Sequence, residues 1–492
     1  MTHMSSDSLP SPVPANTGRT TRLFFLIITA YFAGQVILRL LLGGALETDE
    51  AEMLLMTPGF RWGYGPQLPL YNWIQTGLFS IFGETLFALS LLKNMLLWAT
   101  YALLFLGLRA YVSARVAALT ALSLFLIPDI AWEAERATTH SNMLLATISA
   151  SFAAFLWALK TRNWRYWALF GLAMGLGGIA KYNFWAIPTG LTLAALTLAP
   201  LRSALLSPRI LISPVLALAI VAGPYLWMAN NPDLALSSVG KMAISEQVSP
   251  LVPEGVPLYF QGLFILLLLP MLVSALMWLA SRHRPMQSGT REISTLFLRA
   301  GAILAIIGLA IVWLADVGHV TPRWLLPIVI PIVIGVFLRL TPRLSPLAMR
   351  GYLGALVLFA LLVCTGLTLD RYKDNARRDL DFAPLAQAIE EMALPEDTLI
   401  VTDFYIGGNL ARLRPDWTIR SDLPASARSE TAVHILLISR ALQTDAQLQR
   451  LATQVGWPHA AQAIYDSGEQ IALPFHHGDR SQPLRLLYGA ME

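Results

Sequence analysis

Eleven apolar runs, each about 17 to 25 residues long, constrain this chain more than any other feature, because a run of that length crosses the hydrocarbon core of a bilayer as an α-helix. They cover residues 23–46, 85–108, 111–128, 139–159, 164–180, 184–200, 209–229, 258–280, 294–315, 323–339 and 349–369. With 55% hydrophobic and only 13% charged residues, a soluble protein of 492 residues would lack the charge to cover its surface. The expected class is therefore a polytopic α-helical membrane protein of about eleven transmembrane helices with a small C-terminal periplasmic α/β domain. Its single cysteine, Cys364, lies within an apolar run, is read as a buried thiol, and forms no internal disulfide. The net charge of +4 comes without a basic tract interleaved with aromatics, so no nucleic-acid partner is expected.

Charge orders the loops. Residues 1–22 are polar without an apolar face and read as a disordered cytoplasmic tail, and the run from Leu23 is too long for a signal peptide. From that start, the inside loops carry Arg109 and Arg115; Lys160, Arg162 and Arg165; Arg202 and Arg209; Arg282, Arg284 and Arg291; and Arg339, Arg343 and Arg350. The opposite loops carry Glu47, Asp49, Glu50 and Glu52, then Asp129, Glu133 and Glu135, then Asp233, Glu246 and Glu254. This asymmetry matches the positive-inside rule and places the acidic loops and the C-terminal tail outside the cytoplasm, the periplasmic side if the membrane is a bacterial inner membrane. Residues 23–370 form the membrane domain, and 371–492 change to ordinary globular polarity. There, Thr398–Val401 and Val433–Ile438 read as strands, and Phe382–Met392 and Ala441–Val455 as helices. This second domain carries no nucleotide-binding, zinc-protease or dithiol motif, so acceptor recognition or a structural cap is its expected role.

The first acidic loop, Glu47-Thr-Asp-Glu-Ala-Glu52, is followed by a segment rich in Gly, Pro and aromatics that includes Arg61, Trp62, Tyr64, Tyr71 and Trp73. Carboxylates just beyond a span can be partly desolvated and tuned toward general-base work. Without the loop that follows, such residues would read as solvated topology markers, but Trp and Tyr at this density favour the headgroup level and prolines restrict the backbone, giving a structured loop able to exclude water.

In these residues the chain resembles the polyprenyl-phosphate-dependent GT-C glycosyltransferases, particularly the protein O-mannosyltransferase branch and the bacterial aminoarabinose and galacturonic acid transferases of lipid A. The likeness rests on the Asp49-Glu50 pair after the first span, on Tyr64-Gly-Pro-Gln-Leu-Pro-Leu-Tyr-Asn-Trp73, on Gly177-Gly-Ile-Ala-Lys-Tyr-Asn-Phe-Trp-Ala-Ile-Pro188 and on Arg323-Trp-Leu-Leu-Pro-Ile-Val-Ile-Pro331. It spans roughly residues 20–370, with the motifs in the family's order. One departure stands in the second acidic loop, where relatives carry an Asp and this chain has His140. Either Glu133 or Glu135 supplies the carboxylate, or His140 replaces its contact, or His140 and Asn142 serve capping and interhelical hydrogen bonds.

The resemblance implies an inverting transfer of a sugar from a polyprenyl-phosphate donor to lipid A, lipopolysaccharide or another envelope glycolipid or glycan. Such a reaction needs a base, cations for the departing phosphate and a pocket at the lipid bilayer's edge. Asp49 is the expected base, with Glu50 positioning the acceptor or holding an ion. Lys181 and Arg323, with His319 nearby, are the expected donor-phosphate contacts, although interfacial cations also snorkel without function. Arg61, Tyr64, Tyr71, Glu133, Glu135 and His140 are the expected acceptor or loop-positioning residues. A divalent cation, Mg²⁺ or Mn²⁺, stays open, because the acidic loop offers hard oxygen ligands without an identifying spacing. Protein O-glycosylation and a lipid-linked sugar flippase or transporter are the alternatives. A proton-coupled carrier would place acidic groups at span centres, whereas the polar candidates here collect at span ends.

Overall fold

In the computed structural model, the described residues are 16–57, 59–237, 242, 252–281, 286–421, 434–440, 452–453, 457 and 459–490. Each of the eleven apolar runs is helical. Among the described residues, eight helices are long and apolar enough to cross a membrane, and two bent pairs bring the number to ten if each pair is one span. The run at 164–180 forms a further helix, Trp164–Gly178, of 15 residues. At about 1.5 Å per residue it falls short of a hydrocarbon core about 30 Å thick.

The first helix, α1 (Asn16–Leu42), begins earlier than the polarity of the tail suggests. A helix leaving the bilayer needs no apolar face to keep its backbone bonded, so polar residues at 16–22 continue it. After it, α2 (Thr48–Met56) and α3 (Leu70–Phe82) fill the first acidic loop, and α4 (Leu86–Leu108) is the next span. The helix His140–Thr161 packs along α4, and Trp164–Gly178 lies against Ile212–Asn230. The second approach is close: a Cβ on Gly171 would stand 2.6 Å from the Ser213 carbonyl oxygen. Small residues at such contacts let membrane helices meet backbone to backbone. Between Ala114–Leu126 and Asp129–Arg136 the axis turns by 83° at Pro128, which carries the second acidic loop back over the helix ends.

The helix ends sort into two groups. At one, Lys160 lies 5.1 Å over the Tyr111 ring, Arg162 donates to Ser203 Oγ (2.7 Å), and Arg209 donates to the Arg162 carbonyl (2.6 Å). At the other, Arg136 meets Glu47, Asn183 donates to the Trp324 carbonyl (3.1 Å), and Arg377 donates to Thr48 Oγ1 (2.9 Å). The basic loops thus share one end of the bundle and the acidic loops the other.

The C-terminal domain carries a five-stranded mixed sheet of β1 (Leu399–Val401), β2 (Thr418–Arg420), β3 (His434–Ser439), β4 (Glu469–Pro474) and β5 (Ser481–Ala490), ordered β2-β1-β3-β5-β4. β1 runs parallel to β2 and β3, while β5 is antiparallel to β3 and β4. The expected helix near 382–392 is Ala383–Glu391. The helical spacing at 441–455 falls outside the described residues except for 452 and 453. Helix Phe404–Leu413 docks on α2: Asn409 accepts from the Leu46 N–H (2.7 Å) and donates to its carbonyl (3.2 Å), and a Cβ on Gly408 would lie 2.4 Å from the Ala51 oxygen. The domain therefore grips the chain immediately before Asp49.

Candidate active site at the first acidic loop

The Glu47-Thr-Asp-Glu sequence begins α2 as a capping box, in which Glu47 and Glu50 each accept a hydrogen bond from the other's backbone N–H. This fixes the first turn and sets its two acidic residues in different surroundings. Glu50 is 2% exposed. Its oxygens meet Arg39 (2.8 Å) and Lys93 (3.3 Å), with Arg378 at 3.9 Å. Burial alone would raise its pKa, but Arg39, Lys93 and Arg378 together hold the carboxyl well below the usual range. Arg378 is pushed down to about 10 by burial and by Arg39, and so stays cationic at neutral pH. Glu47 adds contacts to Arg136 (3.4 Å) and Arg378 (3.9 Å). Asp49, in the same turn, is only half-buried.

Glu50 is thus held by three cations of the fold. Glu47 and Glu50 do not suit a divalent ion, since guanidinium and ammonium groups already surround their oxygens. Among the described residues no group of three or more His, Cys, Asp or Glu side chains is placed to hold one.

From Asp49 a series of neighbours leads to the predicted phosphate-binding cations. Tyr71 is fully buried, feels the charges of Glu50 and Asp49, and has a hydroxyl with no hydrogen-bond partner among the described residues. Burial raises its pKa, so it remains a neutral donor. The Tyr71 ring lies 5.2 Å from His140, whose Nε2 is 3.0 Å from Asn72 Oδ1. The next residue, Ser141, accepts from Lys181 Nζ at 2.6 Å. Lys181 and Arg323 both act electrostatically on Asp129, which the bend at Pro128 brings to this end. Arg323 is half-buried in the short helix Pro322–Leu325 at the start of its span.

Other expected residues play different parts. Arg61 is exposed and works through its backbone: its N–H donates to Tyr64 Oη (3.0 Å), and its carbonyl accepts from Trp73 Nε1 (2.7 Å). Tyr64 is buried and donates to the Gly59 carbonyl (2.6 Å), closing the loop on itself. Glu133 is paired with Arg136 (2.9 Å), and Glu135 is buried, its backbone carbonyl accepting from Lys93 Nζ (2.8 Å). Of the three second-loop carboxylates, Asp129 is thus the one on which Lys181 and Arg323 act, since Glu133 is paired with Arg136 and Glu135 is buried near Lys93. His140 and Asn142 make the interhelical and capping bonds, Asn142 Nδ2 donating to the Ala134 carbonyl at 3.0 Å. His319 is exposed, edge-on to Trp324 at 6.3 Å. Cys364 is half-buried rather than buried, accepting from Gln35 at 3.4 Å.

Arg39, Lys93 and Arg378 were not among the sequence candidates, yet each left a trace. Arg39 and Lys93 are cations inside apolar runs, which require a buried counter-charge. Arg378 belongs to an arginine doublet just after the last span.

Residues 65–227 match the dolichyl-phosphate-mannose-protein mannosyltransferase family. The lipopolysaccharide core galacturonosyltransferase RgtA of Rhizobium johnstonii is 30% identical over 96% of this chain and 97% of its own length. RgtB of the same organism is 34% identical over 62% of each chain. In fold, the chain is similar to the crystal structure of ArnT from Cupriavidus metallidurans bound to undecaprenyl phosphate, with a TM-score of 0.59 and 14% identity over 96% of this chain and 98% of that one.

Proposed function

The chain belongs to the polyprenyl-phosphate-dependent GT-C glycosyltransferases, and from that premise we propose that it moves galacturonic acid from a polyprenyl phosphate to the lipopolysaccharide core. The reaction takes place at the periplasmic face of the inner membrane. The choice of sugar and acceptor rests on the relative that matches nearly the whole chain. The observation that carries the chemistry is the contrast within one helical turn: Glu50 neutralised by buried cations, Asp49 half-buried and within electrostatic reach of Tyr71.

Asp49 takes the proton from an acceptor hydroxyl as its oxygen attacks the anomeric carbon. The bond from that carbon to the phosphate oxygen breaks, and the configuration inverts. The departing lipid phosphate keeps the electron pair and is held by Lys181 and Arg323, the latter able to engage two oxygens at once. Asp129 orients these cations.

The test is transfer by the purified protein from polyprenyl-phosphate galacturonic acid to lipopolysaccharide, to lipid A alone and to an unfolded protein, followed by mass spectrometry. Uronic acid on the core glycan is expected. Modification of the protein acceptor alone would favour protein O-glycosylation, the activity for which the family matching residues 65–227 is named.

A further inference from the structure

A cleft of about 780 Å³ opens in the C-terminal domain between helix Ala383–Glu391, the turn that follows it and the edge strand β2. Its volume lies within the range of small-molecule sites. Ile389 and Ile400 form an apolar floor, and Trp417 a half-exposed aromatic wall. Arg414 lies 4.8 Å over the Trp417 ring and pairs with Glu390 and with Asp416 (2.9 Å). Thr398, 7% exposed, lines the same cleft with a buried Oγ1 that has no hydrogen-bond partner among the described residues. A buried hydroxyl left unpaired is costly, and in native structures it usually has a partner.

We propose that this cleft binds a neutral saccharide unit of the acceptor glycan. A pyranose presents an apolar C–H face and an edge of hydroxyls; the first suits the indole, and the second suits carboxylates that accept and a threonine hydroxyl that does both. With Glu390, Glu396 and Asp416 against one arginine, the rim repels phosphate and uronate and leaves the neutral sugar as the occupant. The position is apt: β2 packs against helix Phe404–Leu413, and a Cβ on Gly407 of that helix would lie 2.8 Å from Leu55 of α2 and 3.2 Å from Ile419 of β2. That one helix therefore lies between β2 and the helix bearing Asp49. An oligosaccharide anchored in the cleft would extend toward that carboxylate, adding affinity and register to the acceptor.

The inference rests on the glycan-acceptor reading above, and its test separates the two. Saturation-transfer NMR on the full-length protein in nanodiscs, probed with mannotriose and with glucuronic acid, should show contact for the neutral sugar only. Trp417→Ala and the milder Glu396→Gln should each weaken mannotriose binding about ten-fold, while Asp49→Asn should bind it normally. In transfer assays both cleft variants should raise the KM for the glycan acceptor by a similar factor, with the donor KM unmoved. Mannotriose binding that is absent in the wild type, or equal in the wild type and in correctly folded Glu396→Gln, overturns the cleft whatever the transferase assay gives. If the cleft binds and no glycan acceptor is ever modified, the functional reading fails instead.

Discussion

Asp49 and Glu50 show how little separates a candidate base from a structural acid. Glu50 faces inward from α2 to Arg39 and Lys93, and removing its charge leaves those cations buried without compensation. Breaking such a pair costs roughly 3–5 kcal/mol, so Glu50→Gln should lower thermal stability and activity together, with no rescue by added Mg²⁺ or Mn²⁺. The pH dependence has a definite sign. The folded pKa of Glu50 is depressed, so its contribution is complete above the ordinary glutamate value of about 4.3 and is lost as pH falls through the lower folded value. Thermal melts from pH 7 to 3 should therefore show an acid limb that shrinks in Glu50→Gln; an unchanged limb would remove Glu50 from the stabilising cluster. Asp49→Asn, by contrast, should melt like the wild type and lose about 10²–10⁴ in turnover with little change in donor affinity. Lys181→Ala and Arg323→Ala should divide differently again, each losing a charge-assisted contact of about 1.5–3 kcal/mol, read as weaker donor binding. Wild-type donor kinetics in both would return them to simple interfacial cations.

Between elements, the decisive contact is α2 with helix Phe404–Leu413. Gly408 lies so near the Ala51 carbonyl that any side chain must push the helices apart, and overpacking of that kind costs about 1–3 kcal/mol. Gly408→Val should loosen the C-terminal domain, speed trypsin cleavage at Arg377 and Arg378 and reduce transfer, although residue 408 is remote from the acceptor chemistry. Gly354→Val, at a position with open space around its α-carbon, is the matched control and should behave like wild type. Equal proteolysis in the two variants would show that docking does not set the site. This contact was illegible in the sequence: nothing about Gly407-Gly408 in an amphipathic stretch names its partner more than 350 positions away. The spans were legible because membrane insertion depends on local apolar length, and the place of the Asp49-Glu50 pair just after the first span was legible because that motif is local. Glu50's cations came from three separate segments, and only the fold brings Arg39, Lys93 and Arg378 together. Asp129 was overlooked for Glu133 and Glu135 because the 83° turn at Pro128 decides which of the three faces the cations.

At the scale of the whole molecule, the two ends of the bundle must lie in different compartments, and charge decides which. Lys160, Arg162 and Arg209 gather at one end, while Asp49, Lys181, Arg323 and the C-terminal domain share the other. Lys and Arg flanking short loops are retained on the cytoplasmic side, so the basic end is expected inside and the site outside. A phosphatase reporter, active only after export, should be active when fused after Arg371 and silent when fused after Arg343, at the basic end of the next-to-last span. The same ordering predicts that a membrane-impermeant lysine reagent applied to intact spheroplasts labels Lys373, exposed next to Asp370, but spares Lys160. An active fusion at Arg343 together with a silent one at Arg371 would invert the protein, place Asp49 in the cytoplasm and end the case for a periplasmic acceptor.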